Sequence, residues 1–154
     1  MAGCSRLTFF HHFPSREAAL LGSAVPIVTP EAVARYLAEP VPILTGAMDL
    51  VDIPEEMSLA SSLGAGRHAL LHTSPQLQAA ARERMTPAAT AVLAAVTAKI
   101  ALLPGIDRDD IPTTAQAVTA LAAALIETAA AAGTNQPTSA VVGHLASIWD
   151  LLVH

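Results

Sequence analysis

Residues 2–21 read Ala2-Gly3-Cys4-Ser5-Arg6-Leu7-Thr8-Phe9-Phe10-His11-His12-Phe13-Pro14-Ser15-Arg16-Glu17-Ala18-Ala19-Leu20-Leu21. Gly3 can take the left-handed angle of a tight inter-helix turn, and Ser5 can cap a short helix behind it. Pro14 ends that helix, and Ser15 caps the next one with Glu17 in its first turn, where an acid suits the helix dipole. On the first helix, expected over Ser5–His12, Cys4, Phe9 and Phe13 fall near one face at spacings of five and four. Arg6, Phe10 and His11 face away, with Thr8 and His12 at the edges. A face that mixes a guanidinium, a hydroxyl, imidazoles and an aromatic edge is poor core material and suits a major groove. Arginine can donate two bonds to guanine, threonine can touch a phosphate or a thymine methyl, and a ring can lie on sugar or base.

Working outward, the helix starts are legible because Ser or Thr stands directly before proline at Thr29-Pro30, Ser74-Pro75 and Thr86-Pro87. That pairing supplies an N-cap oxygen and a preset first helical angle. Asp110 with Pro112, and Asn135-Gln136-Pro137, mark two further starts after loops. The pattern predicts helices over Ser15–Ser23, Pro30–Glu39, Pro42–Val51, Ser61–His72, Pro75–Leu103 with a break or kink at Pro87, Thr113–Ala132 and Thr138–Val153. No strand pattern competes with them. Hydrophobic residues make up 53% of the chain but aromatic ones only 3%, so the apolar content is alanine, leucine and valine at helix-favouring density. The fold class expected is all-α.

At 154 residues with one cysteine, the chain can bury a core of its own but can build no internal disulfide framework, which fits a reducing, cytoplasmic setting. The N-terminus lacks the basic and apolar regions of a secretory signal. The segment from Ala115 to Ala132 is rich in alanine and interrupted by Gln116, Thr119, Glu127 and Thr128, so no membrane span is expected. The net charge of −5 excludes nucleic-acid binding over the whole surface. Its distribution is uneven, however: Met1 to Arg16 holds two arginines, two histidines and no acid, a locally basic end on an acidic body.

The run Ala2-Gly3-Cys4-Ser5, then Thr8-Phe9-Phe10-His11-His12-Phe13, then Pro14-Ser15-Arg16-Glu17 resembles the second half of the DNA-binding domain of the TetR (tetracycline-repressor-type) family of transcriptional regulators. The family pattern is Ala-Gly-Val-Ser, Thr-aromatic-Tyr/Phe-x-His/Tyr-Phe and Pro-Ser-Lys/Arg-Glu, and the match covers about twenty residues. It implies a helix-turn-helix head whose groove-facing set is Arg6, Leu7, Thr8, Phe10, His11 and His12, with Arg16 as a phosphate anchor. Cys4, in a valine position, becomes core with Phe9 and Phe13 rather than a reactive thiol. The resemblance divides the chain into a head remnant at 1–24 and a ligand-binding and dimerisation domain at 25–154. Two family helices expected before the turn have no counterpart ahead of Gly3. A recognition helix without that scaffold is expected to bind DNA weakly or not at all, whereas a longer form would bind a specific operator.

The stretch Arg67–Arg84 is similar to a segment of a subgroup with acyl-CoA-like ligand domains. That resemblance implies a body that binds a small, largely apolar effector and couples it to the spacing of two DNA-reading heads in a homodimer. Met48, His68, His72 and Met85 are the candidate pocket residues, although methionine is also ordinary core filler. His68 and His72 stand at a spacing that could hold a metal, but no third ligand is near, so no metal is expected. Arg67, Arg82 and Arg84 either receive a ligand anion or line a solvated helix face. Leu121 and Leu125, with Leu145, Ile148, Trp149 and Leu152 on the broad stripe of the final helix, either form a four-helix interface with a second copy or pack within one chain. No nucleophile–base pair, phosphate loop or metal cluster suggests an enzyme, and no cofactor is expected. The competing class is a helical ligand-binding or dimerisation module that no longer touches DNA.

Overall fold

A computed structural model describes residues 15–57, 62–71 and 73–131. The expected helices Ser5–His12 and Thr138–Val153 lie outside the described residues. Those described form six α-helices: α1 (Arg16–Leu21), α2 (Pro30–Ala38), α3 (Ile43–Met48), α4 (Ser62–Leu71), α5 (Pro75–Ala101) and α6 (Ile111–Ala131), with a 3-10 turn at Glu55–Met57. No strand occurs among them; a lone antiparallel bridge pairs Ile27 with Asp52. The protein is all-α, and no described helix is long and apolar enough to cross a membrane.

Three expected caps are present. The Ser15 hydroxyl accepts from the Ala18 amide at 3.0 Å, Thr29 from Ala32 at 3.1 Å, and Ser74 from Leu77 at 3.4 Å. Thr86-Pro87 does not start a helix, because α5 runs through Pro87 without interruption. Proline there removes one intrahelical donor, and the Thr86 hydroxyl turns back to donate to the Arg82 carbonyl one turn earlier, at 3.1 Å. A serine- or threonine-proline pair therefore marks a start only where the preceding turn is not already helical. Helix α5 also ends sooner than expected, at Ala101. The amides of Leu102 and Leu103 bond three residues back, to Lys99 and Ile100, and this tighter turn closes the helix.

The fold divides into two compact units. The described residues of unit 1 are 15–25, 53–57, 62–71 and 73–86, and those of unit 2 are 26–52 and 87–131. Unit 2 holds the hydrophobic core. Ala88, Val92, Ala95, Val96 and Ile100 recur at helical spacing along α5 and are all buried, Val96 and Ile100 completely. Val92, Ala95, Val96 and Ile100 form one cluster with Tyr36 of α2, Ala47 and Met48 of α3, Leu50, and Ala115, Ala122 and Leu125 of α6. The alanines let helices approach closely, and α3 packs directly on α6. Gly46 serves the same end: a Cβ there would stand 2.6 Å from Tyr36 Cε2 and 2.9 Å from Val41 Cγ2.

One cation lies inside this core. Lys99 is 8% exposed, and its ammonium donates to the carbonyls of Tyr36 at 2.8 Å, Leu37 at 3.3 Å and Glu39 at 2.6 Å. Three donors thus meet three acceptors at the C-terminal end of α2, where unpaired carbonyls and the helix dipole both favour a cation. The ammonium also lies 5.4 Å from the centre of the Tyr36 ring. The phenol of Tyr36 donates to the Ile43 carbonyl at 3.1 Å, and burial raises its pKa above the ordinary tyrosine value.

Unit 1 is built differently. Helix α1 buries no residue, and α4 buries only Gly64. What fixes the end of α1 is a glycine and an arginine. Gly22 takes φ +74°, and its amide closes the helix on the Ala18 carbonyl. The Arg67 guanidinium of α4 lies over Gly22, so close that a Cβ there would fall 2.4 Å from Nη2. From that position Nε donates to the Leu20 carbonyl at 3.1 Å and Nη1 to the Glu56 carbonyl at 3.3 Å. Arg84 adds a third tie, donating to the Ala24 carbonyl at 2.8 Å.

Candidate nucleic-acid interface

Of the residues expected to face DNA, Arg6, Leu7, Thr8, Phe10, His11 and His12 lie outside the described residues; Arg16 is described. Arg16 is the first helical residue of α1, is exposed, and follows directly on the Ser15 cap, with Glu17 beside it. The sequence Ser15-Arg16-Glu17 therefore does locally what its residue types suggest. The hydroxyl takes the first orphan amide within reach and leaves the guanidinium pointing into solvent at the head of the helix.

The far end of α1 is fastened by Arg67, 47 residues along the chain from the Leu20 carbonyl that it binds. Arg67 and Arg84, expected either to receive a ligand anion or to stand on a solvated face, are half-buried. Both guanidiniums are committed to backbone carbonyls, tying the segment after α1 to α4 and to the first half of α5. Arg82 is exposed. Among the described cations, Arg67, Arg84 and Lys99 thus serve the backbone, while Arg16, Arg35, Arg82 and Arg108 are exposed. Ordinary sequence signals could not have separated these groups, because the carbonyls they meet are 11 to 63 residues away.

Of the four candidate pocket residues, three are described. Met48 is 5% exposed and belongs to the closed core of unit 2. His68 lies on the last turn of α4 in unit 1, Met85 is 39% exposed on α5 in the same unit, and His72 lies outside the described residues. No group of three or more potential metal ligands occurs among the described residues. Of the candidate interface residues, Leu125 is buried in the core of unit 2, while Leu121, one turn earlier on α6, is 50% exposed. Leu145, Ile148, Trp149 and Leu152 lie outside the described residues.

Each unit carries a concave surface among its described residues. In unit 2 a groove of about 390 Å³ is lined by Thr97 and Ala101 of α5, Leu103, Ile106 and Arg108 of the following loop, and Ile111 and Pro112 at the start of α6. In unit 1 a groove of about 330 Å³ lies between α1 and α4, with Ala19 and Leu20 on one wall and Leu63, Gly66, Arg67 and Leu70 on the other. Both are lined mainly by apolar residues, with one hydroxyl side chain, Thr97 or Ser62, and one guanidinium each. Sequence reasoning found neither, since their walls are joined by tertiary packing rather than by a spacing.

Comparison with known proteins adds no relative: no family model, no curated protein and no solved structure matches the chain.

Proposed function

We propose that the chain is the greater part of a TetR-type transcriptional regulator, most simply a repressor. In this reading residues 2–17 supply the recognition half of a helix-turn-helix head, and the body after residue 24 senses a small, largely apolar effector and pairs with a second copy. The observation that carries it is the sequence from Ala2 to Glu17, whose residue types supply a turn glycine, a polar and aromatic stripe on the helix expected there and a capped second helix in the order a groove-reading head requires. The Ser15 cap and the exposed Arg16 support its last step. Arg6 would read a base edge and Arg16 would hold a phosphate, each with a different energetic signature. The unit 2 groove beside Ile106 and Ile111 is a concavity whose walls suit the effector. No catalytic role is proposed.

One observation favours the second reading, a helical module that does not touch DNA. Three of the described cations are turned onto backbone carbonyls, which leaves an acidic chain with few outward cations to meet phosphates.

Selection from a random duplex pool separates the two readings, run with the chain alone and with the chain extended through any in-frame coding sequence upstream of Met1. The regulator reading expects a palindromic site to be enriched by the extended form. On that site Arg6→Ala should weaken binding by about 1–3 kcal/mol and relax preference at one base. Arg16→Ala should weaken all duplexes alike and lower the salt slope by about 1. If no duplex is enriched by either form, the module reading stands.

A further inference from the structure

Helix α4 displays Leu63, Gly66, Arg67 and Leu70 at spacings of three and four, so they share one stripe. Leu63 is 53% and Leu70 42% exposed, and a Cβ placed on Gly66 would meet nothing within 4 Å. Leu63 and Leu70 are therefore uncovered apolar side chains on either side of an open notch, with Arg67, which donates to the Leu20 and Glu56 carbonyls, and Ser62 as the polar members of the lining. The stripe faces Ala19 and Leu20 across the groove of about 330 Å³ in unit 1. A cavity of about 150 Å³ takes one benzene ring, so this groove has room for two.

The chain itself supplies two such rings beside it. All three phenylalanines of the protein fall at 9, 10 and 13. Phe9 and Phe13 are four apart, on one face of the short helix expected there, with Phe10 turned away. Only Pro14 and Ser15 separate Phe13 from the first residue of α1. Leu20 lies four residues along α1 from Arg16, about 6 Å at 1.5 Å per residue, and two extended residues span about 6–7 Å. The aromatic pair is thus tethered within reach of the groove, at an effective concentration no free partner approaches.

We infer that the groove between α1 and α4 is the seat of this chain's own residues 5–13, with the rings of Phe9 and Phe13 lodged against Leu63 and Leu70 over the Gly66 notch. The inserted face is the apolar one, so Arg6, Thr8 and His11 are left outward. Helix α4 then acts as the scaffold that a recognition helix needs beneath it. The inference rests on the inward placement of Phe9 and Phe13 in the reading proposed above, but not on DNA binding itself.

The test is nuclear Overhauser spectroscopy on the full chain, deuterated except for phenylalanine rings and leucine methyls. Because every phenylalanine lies in 9–13, any ring-to-methyl effect on Leu63 or Leu70 reports contact with this segment. Effects are expected from Phe9 and Phe13 to both leucines, none from Phe10, and no change on tenfold dilution. Gly66→Leu fills the notch and should abolish them with helix content by circular dichroism unchanged. Should that variant lose helix, Phe9→Ala with Phe13→Ala gives the same reading from the other side, moving the Leu63 and Leu70 methyl resonances away from their ring-shifted positions. Rings with random-coil shifts and no methyl effects overturn the inference. So do effects seen only between separately labelled chains in a mixed sample, which would make a second copy the occupant. Duplex selection with the chain and its extended form keeps the outcomes apart: docked rings with no duplex enriched by either form end the regulator reading alone, and DNA binding with undocked rings ends this one alone.

Discussion

The two units solve one problem, the unsatisfied carbonyls at a helix end, with the same device in different surroundings. In unit 2 the cation is Lys99, sealed under Tyr36 among side chains that would be buried without it. In unit 1 it is Arg67, half-buried beside Gly22, joining helices that bury almost nothing of their own. In the first case the clamp finishes a core; in the second it stands in for one. The difference teaches where function can reside. A unit held by polar ties and leaving Leu63 and Leu70 uncovered has surface to offer a partner segment, whereas the unit 2 core is closed around its own residues.

The comparison can be broken most sharply at Lys99. Lys99→Met keeps the length of the side chain but leaves the carbonyls of Tyr36, Leu37 and Glu39 short of a donor. It should cost about 3 kcal/mol, since each uncompensated buried polar group costs about 1–3. A urea melt that moves by less than a third of that amount would mean water replaces the ammonium freely, and that the unit 2 clamp is no more buried than the one in unit 1.

A smaller effect is expected in unit 1. Gly22→Ala must accept a left-handed backbone and displace the Arg67 guanidinium, at about 1–2 kcal/mol for the backbone conformation alone. Arg67→Ala removes the steric part, so the double variant should be less destabilised than the sum of the two singles. Strict additivity in a denaturation cycle would show that the glycine and the arginine act independently.

The smallest effect separates the units by pH. Burial raises the Tyr36 pKa, so the folded state holds its phenolic proton more tightly than the unfolded chain does. The stability this contributes is complete below the unfolded tyrosine value of about 10 and is lost as pH climbs through the folded one. Wild-type protein should therefore lose stability in alkali faster than Tyr36→Phe, which itself loses about 1 kcal/mol at neutral pH with the hydrogen bond to Ile43. Parallel alkaline profiles for the two proteins would remove Tyr36 from the account.

Much of the fold was legible in local chemistry. Ser15, Thr29 and Ser74 are caps because the hydroxyl needs only an amide three residues on, and the stripe Val92, Val96, Ile100 follows from a period that any helix imposes. What was not legible depends on residues far apart in the chain. Thr86-Pro87 has the composition of a helix start and sits inside a helix, because tertiary packing on both sides of it outweighs one missing bond. Lys99, Arg67 and Arg84 look like surface cations until the carbonyls that receive them arrive from 11 to 63 residues away. Met48 suited a pocket lining by type and went into the core. Of the candidate head, residues 15–24, which hold the Ser15 cap, all of α1 with its exposed Arg16, and Gly22, fall within the described residues.

Amide hydrogen exchange read residue by residue tests the contrast most directly. The account predicts that amides of Val92–Ile100 and Ala115–Leu125 exchange only through opening of the unit 2 core, with protection at least about a hundredfold above that of Leu63–Leu70, which needs a difference of only about 3 kcal/mol in opening free energy. Equal protection in the two sets would contradict it, because α4 would then belong to a core as complete as that around Val96.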